Sequence, residues 1–223
     1  MMKDNPWILA SNSPRRKELM ALFGQPFRVH PADVDEDLRP AENPAEYVCR
    51  LAREKASRVA ALWPDGGLIL AADTTVALDG KIFAKPVDRC DAKKMLLALR
   101  GRTHQVYTAV TLHLPDMNLP VEVLCMTDVP MRAYNEDEID AYVDSGDPLD
   151  KAGAYAIQND EFHPVEQFRG CFASVMGMPL CHIAYAMAQS GIRPSTAIDT
   201  ACQQHLGYDC LIHERVLQGE NLG

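Results

Sequence analysis

Long apolar runs are missing from this chain of 223 residues. None approaches the roughly 20 residues of a membrane span, so no spanning helix is expected. A basic excess is missing as well. Lys and Arg number 22 against 31 Asp and Glu, a formal net charge of −9. Extended binding to duplex nucleic acid needs a basic face and is disfavoured. No aromatic stacking motif for single strands is present. The first residues, MMKDNPWILASNS, lack the long apolar stretch of a secretory leader. The seven cysteines (49, 90, 125, 171, 181, 202 and 210) do not make an even set. Reduced thiols in the cytoplasm are therefore expected rather than a disulfide framework, most of them as small core residues. Internal repeats and low-complexity tracts are absent too.

What is present fits an ordered globular chain: 47% apolar and 24% charged residues. Short β-like runs alternate with helical patterns, which predicts an α/β fold. Residues 7–10 read as a buried strand. Ser13 then reads as an N-cap with Pro14 at the first helical position, and Gly24 as the stop. A second strand is expected at 27–30. Asn43-Pro44-Ala45-Glu46 resembles a capping box, followed by Tyr47, Val48, Leu51, Ala52, Lys55, Val59 and Leu62 at helical spacing. Residues 68–72 read as a buried strand ending at Asp73. Residues 76–78 and 82–83 flank Asp79-Gly80, a favoured hairpin turn. Residues 92–99 read as a helix closed by Gly101. Residues 106–114 and 121–129 read as an antiparallel pair joined around Pro115 and Pro120. Asn135 caps a helix ending near Gly146, and 181–190 is helical. After Pro194 an appended segment has Ser195 as a possible cap, Gly207 as a stop, and a frayed end from 218.

Several clusters could carry chemistry. At Ser11-Asn12-Ser13-Pro14-Arg15-Arg16 a strand gives way to a helix N-terminus, with free N–H groups, two hydroxyls and two guanidinium forks. It reads as a polyphosphate cradle or as an ordinary capped helix with solvated arginines. It is not a Walker A loop, because it lacks G-x-x-x-x-G-K. Asp73, with Thr74 and Thr75, is placed at a strand's C-terminal end, where α/β sheets bind ligands. It reads as a general base, a ligand for a divalent ion, or a turn residue. Asp33, Asp35, Glu36 and Asp37 could hold Mg²⁺ or Mn²⁺ or form a solvated acidic loop. Lys55 falls on the apolar face of its helix. It, Lys85 and Lys151 could neutralise phosphate or simply snorkel. Cys202-x-x-His205 and Cys210-x-x-His213 offer four zinc-type ligands. Their central spacing is short for a known zinc site, and a bland amphipathic tail is the plainer reading.

Taken together, the segments LASNSPRRKEL at 9–19, LAREKA at 51–56, ADTTV at 72–76, Lys85-Pro86, GRTHQVYTA at 101–109, YVDSGDPLDKAGAYAIQ at 142–158 and GMP at 177–179 resemble the Maf family of nucleoside triphosphate pyrophosphatases. The resemblance implies an α/β fold: an elongated mixed β-sheet flanked by helices, Maf/ITPase-like, with a cleft between two lobes. It implies a Maf-like domain over residues 1–193 and a C-terminal extension over 194–223. It also implies cleavage of a nucleoside triphosphate to monophosphate and pyrophosphate with a divalent cation, Mg²⁺ or Mn²⁺. The family's catalytic acidic residue falls on Asp73, its phosphate-binding Ser and Arg positions on Ser11, Ser13, Arg15 and Arg16, and its lysines on Lys55 and Lys85. Its early acidic position falls on Glu36, which joins Asp73 as a candidate metal ligand. Three positions separate the family's branches. Arg15, Thr74 and Gln158 match the branch acting on dTTP and UTP, rather than the Trp, Gln and Glu of the 7-methyl-GTP branch. An amide at Gln158 suits the acceptor–donor–acceptor edge of a pyrimidine imide. The chain departs from the family at Asn159, where Gly is usual, and at Gly170-Cys171-Phe172, where Gly-Ser-Tyr is usual.

The expected reaction is attack of water on the α-phosphorus with pyrophosphate leaving, a house-cleaning of nucleotide pools. It needs positioning, charge neutralisation and a water activator. The alternatives are a modified or noncanonical triphosphate as substrate, or a nucleotide-binding regulator of cell division without turnover. No nucleic acid polymer or membrane is expected as partner. A homodimer fits the family.

Overall fold

The computed structural model describes residues 6–64, 67–114 and 119–223. In chain order its elements are β1 (Trp7–Leu9), α1 (Pro14–Ala21), β2 (Phe27–Val29), α2 (Pro44–Leu62), β3 (Ile69–Leu78), β4 (Lys81–Phe83) and α3 (Arg89–Leu99). These are followed by β5 (Thr103–His113), β6 (Val121–Pro130), α4 (Glu136–Asp144), α5 (Phe172–Val175), α6 (Leu180–Gln189), α7 (Ile198–Leu206) and α8 (His213–Leu217). Two short 3₁₀ turns, Asp147–Asp150 and Ala152–Ala154, lie between α4 and α5. The expected linker at Pro115 lies outside the described residues. Among the described residues no helix is long and apolar enough to cross a membrane.

Local chemistry accounts for most of these elements. Ser13 accepts from the Arg16 N–H with Pro14 in the first turn, so α1 starts where the cap dictates. Asn43 and Glu46 satisfy each other's backbone N–H groups, a full capping box that starts α2. Asp79 and Gly80 have φ of 51° and 77°, the pair of positive values that a two-residue hairpin turn needs between β3 and β4. Two expectations are corrected. Ser195 does not cap α7. Ala197 holds that position without a side-chain bond, and Ser195 instead uses its N–H on the Phe23 carbonyl and its hydroxyl on Gln25. The second correction is larger: the strand does not end at Asp73. β3 continues five residues further, because Thr74, Thr75 and Val76 are β-branched and pair with β5 throughout.

The sheet order is β2-β1-β3-β5-β6, with β4 added to the far end of β3. β2, β1 and β3 run parallel, and β3, β5 and β6 antiparallel. This is the expected mixed sheet flanked by helices. Period-2 alternation along β3 sorts its side chains. Leu70 and Ala72 join the core formed with α1 and α6. Val76 and Leu78 join a second core on the same face, with α3, α4 and Tyr155. Ile69 and Ala71 point the other way, to the core with α2. Fully buried side chains such as Leu70, Leu96 and Leu112 each contribute about 1.5–3 kcal/mol by leaving water. Residues 194–223 pack onto the first of these cores through Ile198 and Cys202, with Leu206, Ile212 and Leu217 against it.

β1 pairs with β3 only at Ile69 and Leu70, with bonds from the Ile8 N–H to the Leu68 carbonyl and from the Ala10 N–H to the Leu70 carbonyl. β4 pairs with β3 from Val76 onward. Between them, residues 72–75 have a strand partner on the β5 side alone. A notch is left in the edge of the sheet, at the junction of the two cores.

Candidate active site

The notch is the floor of a cleft of about 660 Å³, a size suited to a small organic ligand. Its walls bring together Ser11, Ser13, Arg15 and Arg16 from the start of α1, Glu36 from the following loop, Lys55 from α2, and Asp73 and Thr74 from β3. Lys85 and Gln158 line the opposite wall. Every candidate residue carried by the sequence motifs therefore borders one cavity.

Asp73 points to the α2 face, and Lys55, three turns into α2, meets it there. The Lys55 ammonium lies 2.7 Å from Asp73 Oδ1 and 2.6 Å from Glu36 Oε1, so one cation bridges two carboxylates. Lys55 and Asp73 are both buried, while the Glu36 side chain is half exposed. Burial pushes the Asp73 carboxyl above its ordinary 3.8, although Lys55 and Arg16 pull it down. Burial also acts upward on Glu36. There the Lys55 hydrogen bond and charge, helped by Lys85 and Arg16, outweigh it and hold Glu36 below its ordinary 4.5. Two carboxylates on one ammonium are thus driven in opposite directions, the Asp73 carboxyl upward and Glu36 downward.

Thr74 points to the other face, at the junction of the two cores. Its Oγ1 accepts from Arg16 Nη2 at 3.0 Å and lies 3.0 Å from Thr108 Oγ1. The Thr108 hydroxyl donates to the Ser174 carbonyl at 2.8 Å, so the Thr74 hydroxyl donates to Thr108. Arg16 also donates from Nε to the Gly177 carbonyl at 3.0 Å and from Nη1 to Ser11 Oγ at 3.4 Å. Its fork is fixed by the protein. Gly177 is needed for that approach. Its φ is 102°, and a Cβ there would stand 3.0 Å from Arg16 Nε and 3.1 Å from Thr74 Oγ1. Arg15 has no hydrogen bond or ion pair among the described residues, and its guanidinium is available to a ligand.

Other candidates do not converge on the cleft. Of the acidic loop only Glu36 lines it, whereas Asp33, Asp35 and Asp37 are exposed. Lys151 lines the wall but donates to the Asp147 carbonyl and to the carboxylates of Asp147 and Asp150, which makes it a clamp on the first 3₁₀ turn. In the tail, His205 is exposed and His213 Nδ1 sits 3.3 Å from Asp199 Oδ2, so the two Cys-x-x-His pairs do not form a ligand set. Two residues that sequence reasoning passed over hold the acidic loop. The Tyr47 hydroxyl donates to the Glu36 carbonyl at 2.9 Å. Buried Arg50 binds both oxygens of Glu42 and donates to the carbonyls of Asp35 and Asp37. The signal was a run of polar-tipped residues, Tyr47, Arg50 and Lys55, on or beside the buried stripe of α2.

Fold and cleft together define a mixed-sheet α/β protein with a small-molecule cavity of mixed charge at a gap in the sheet edge. The chain belongs to the Maf family: the model described as "Maf-like protein" matches residues 6–190. Among similar proteins, the dTTP/UTP pyrophosphatase of Anaeromyxobacter dehalogenans is 46% identical over 186 residues, 82% of this chain and 93% of that one. That of Methylococcus capsulatus is 44% identical over 190 residues, 85% of this chain and 93% of that one. A solved structure, that of the Staphylococcus aureus Ham1 protein, overlaps 58% of this chain and 74% of that one with a TM-score of 0.42 at 18% identity.

Proposed function

We propose that this chain hydrolyses dTTP and UTP to the monophosphate and pyrophosphate. The names of its relatives support that substrate class. The observation that carries the mechanism is the Glu36–Lys55–Asp73 bridge facing the start of α1 across the cleft. Asp73 takes a proton from water as its oxygen attacks the α-phosphorus, and the bond from that phosphorus to the bridging oxygen of pyrophosphate breaks. A buried carboxylate with a raised pKa suits that role. Lys55, Lys85, Arg15 and Arg16 offset the charge on the triphosphate, and the Ser11 and Ser13 hydroxyls and the N-terminus of α1 add donors.

Oxygen donors of two carboxylates held on one ammonium suit a hard divalent cation, Mg²⁺ or Mn²⁺, with Glu36 and Asp73 as its protein ligands. When bound, such an ion supplies charge neutralisation on the phosphates and lowers the pKa of water. Gln158 reads the imide edge of the pyrimidine from the far wall. Thr74 acts on specificity through Arg16, whose fork it fixes. The proposal extends to residues 1–193 as the catalytic domain, to a cytoplasmic homodimer, and to a nucleotide rather than a polymer as substrate.

The test is a panel of dTTP, UTP, CTP and 7-methyl-GTP with Mg²⁺ and with Mn²⁺, identifying the phosphate species released. Pyrophosphate from dTTP and UTP, lost in Asp73→Asn, is expected. Release of orthophosphate, or a preference for 7-methyl-GTP, would overturn the reading.

A further inference from the structure

One row of side chains crosses the sheet beneath the cleft. Thr74 pairs with Thr108, and Thr108 pairs with Cys125 on β6. At the Cys125 end of this row lie Cys171, immediately before α5, and His182 on α6. One ligand-type atom from each of the three lies within 4.8 Å of the others. All three residues are buried, and the thiols are free. Both ring nitrogens of His182, which is 6% exposed, lack a hydrogen-bond partner among the described residues, and so does the hydroxyl of fully buried Ser174. A neutral imidazole carries one donor and one acceptor, and buried groups of this kind are almost always satisfied. Their nearest polar neighbours are the two thiols, which are weak hydrogen-bond partners when protonated and strong metal ligands as thiolates.

We propose that Cys125, Cys171 and His182 bind a zinc ion, with the Ser174 hydroxyl or one water as fourth ligand. Sulfur and imidazole are the donors zinc selects. In a tetrahedral site such atoms stand roughly 3.4–3.8 Å apart, a spacing compatible with the 4.8 Å within which all three lie. Two thiolates cancel the charge of the ion, and a neutral cluster is tolerable in an apolar core where a lone charge is not. The second nitrogen of His182 also needs a partner. A cavity of about 20 Å³ bordered by Cys171 and His182 has room for a single water. The two ions sort by ligand chemistry: sulfur and nitrogen at the far end of the Thr74–Thr108–Cys125 row, oxygen alone in the cleft.

The ion ties together three separate elements, β6, the start of α5 and α6. The segment it pins, 171–177, supplies the Ser174 carbonyl to Thr108 and the Gly177 carbonyl to Arg16. Zinc therefore positions the Arg16 fork from behind the cleft without touching substrate.

The experiment measures metal content of the full chain purified with reductant and without chelator, then the absorption spectrum after replacement by Co²⁺. One zinc per chain is expected, with thiolate-to-cobalt charge transfer and the intense d–d bands of a tetrahedral site. Cys171→Ser and His182→Gln should lose the ion. Asp73→Asn and Glu36→Gln, in the cleft, and Cys90→Ser, at an exposed position, should keep it. Should the first two variants fail to fold, the wild type still decides: chelation should lower Tm, and Zn²⁺, but not Mg²⁺, should restore it. Wild-type protein that takes up no zinc from a stoichiometric solution overturns the proposal. So does a Cys125–Cys171 disulfide, or zinc lost from the cleft variants and kept by Cys171→Ser. Content and spectrum are read without turnover, so failure here leaves the pyrophosphatase reading standing, and the reverse.

Discussion

Replacing Lys55 with methionine removes the ammonium and keeps most of the apolar stem. Asp73 then stays buried without its 2.7 Å partner, while Glu36, half exposed, returns to water. The Lys55 and Asp73 side chains are each only 10% exposed, so solvent screening offsets little of the loss. Removing one partner of such a pair costs about 3–5 kcal/mol. For a domain of this size that corresponds to a fall in Tm of about 6–20 °C. The sign of the pH dependence follows from Asp73, whose folded pKa already lies above its unfolded value because of burial. A group of that kind contributes most below its unfolded pKa, and its contribution is lost as pH rises through the folded pKa. Without Lys55 the folded pKa rises further, so the deficit of Lys55→Met should be largest at the higher pH and shrink as the pH falls and Asp73 takes up a proton. Urea unfolding of wild type and variant at pH 5, 6.5 and 8 measures it. The double variant Lys55→Met, Asp73→Asn should recover much of the loss at pH 8, because the carboxylate left without its ammonium is gone. An equal deficit at pH 5 and pH 8, or a double variant no better than the single one, would refute the reasoning.

Asp73→Asn should lower kcat by about 10²–10⁴-fold with the far-UV spectrum unchanged. In the wild type, kcat/KM should fall on the acid side as Asp73 protonates; because Glu36 is held low, a single acid limb belonging to Asp73 is expected in the pH profile. Gln158→Glu replaces an amide that can serve both acceptor and donor with an acceptor alone, and kcat/KM for UTP should drop by about 10–100-fold in the substrate panel. Arg15→Ala should raise KM and leave Tm within about a degree or two, as for a side chain without protein partners. Arg16→Ala should lower kcat and also cost about 1–3 kcal/mol in urea unfolding, because Thr74 and the Gly177 carbonyl lose their donor.

Much of the fold was legible because its signals are local. The Ser13-Pro14 cap, the Asn43/Glu46 box and the Asp79-Gly80 turn each carry their structure in two to four residues, and each forms as read. Ser195 had the right chemistry for a cap and fails because tertiary contacts claim it: its N–H donates to the Phe23 carbonyl and its hydroxyl accepts from the Gln25 amide. The residues of the cleft were legible as motifs, and the bonds among them were not. Lys55 on an apolar helix face was read as a phosphate neutraliser or a snorkelling lysine, and nothing in its spacing named Asp73 and Glu36 as its two carboxylates. The acidic loop shows the limit most plainly. Four carboxylates within five positions read alike, and the one that enters the cleft is selected by Tyr47 and Arg50, which hold the loop by its carbonyls. The cysteines repeat the lesson. The regular Cys-x-x-His spacing in the tail leads nowhere, while Cys125, Cys171 and His182 meet from three elements with no spacing in common.

The misplaced end of β3 explains why neighbouring residues on opposite faces of a strand can serve one ligand. In open α/β sheets ligands gather beyond the carboxyl ends of parallel strands. Asp73 was read there on the assumption that its own strand stops. Instead β1 stops at Leu9 while β3 runs on, and β4 rejoins it only at Val76. The ligand-binding edge is thus made by the shortness of a neighbour. In the gap no strand covers β3 from the side, so Asp73 on the α2 face and Thr74 on the α1 face both border the same cavity. An end-on site would present one face to the ligand. A gap in the edge presents both, so in the proposed reaction Asp73, held by Lys55, and the Arg16 fork, held by Thr74, would approach a phosphate chain from opposite sides. That division depends on how far β1 extends beside β3, a property of the pairing and not of either strand's residues alone.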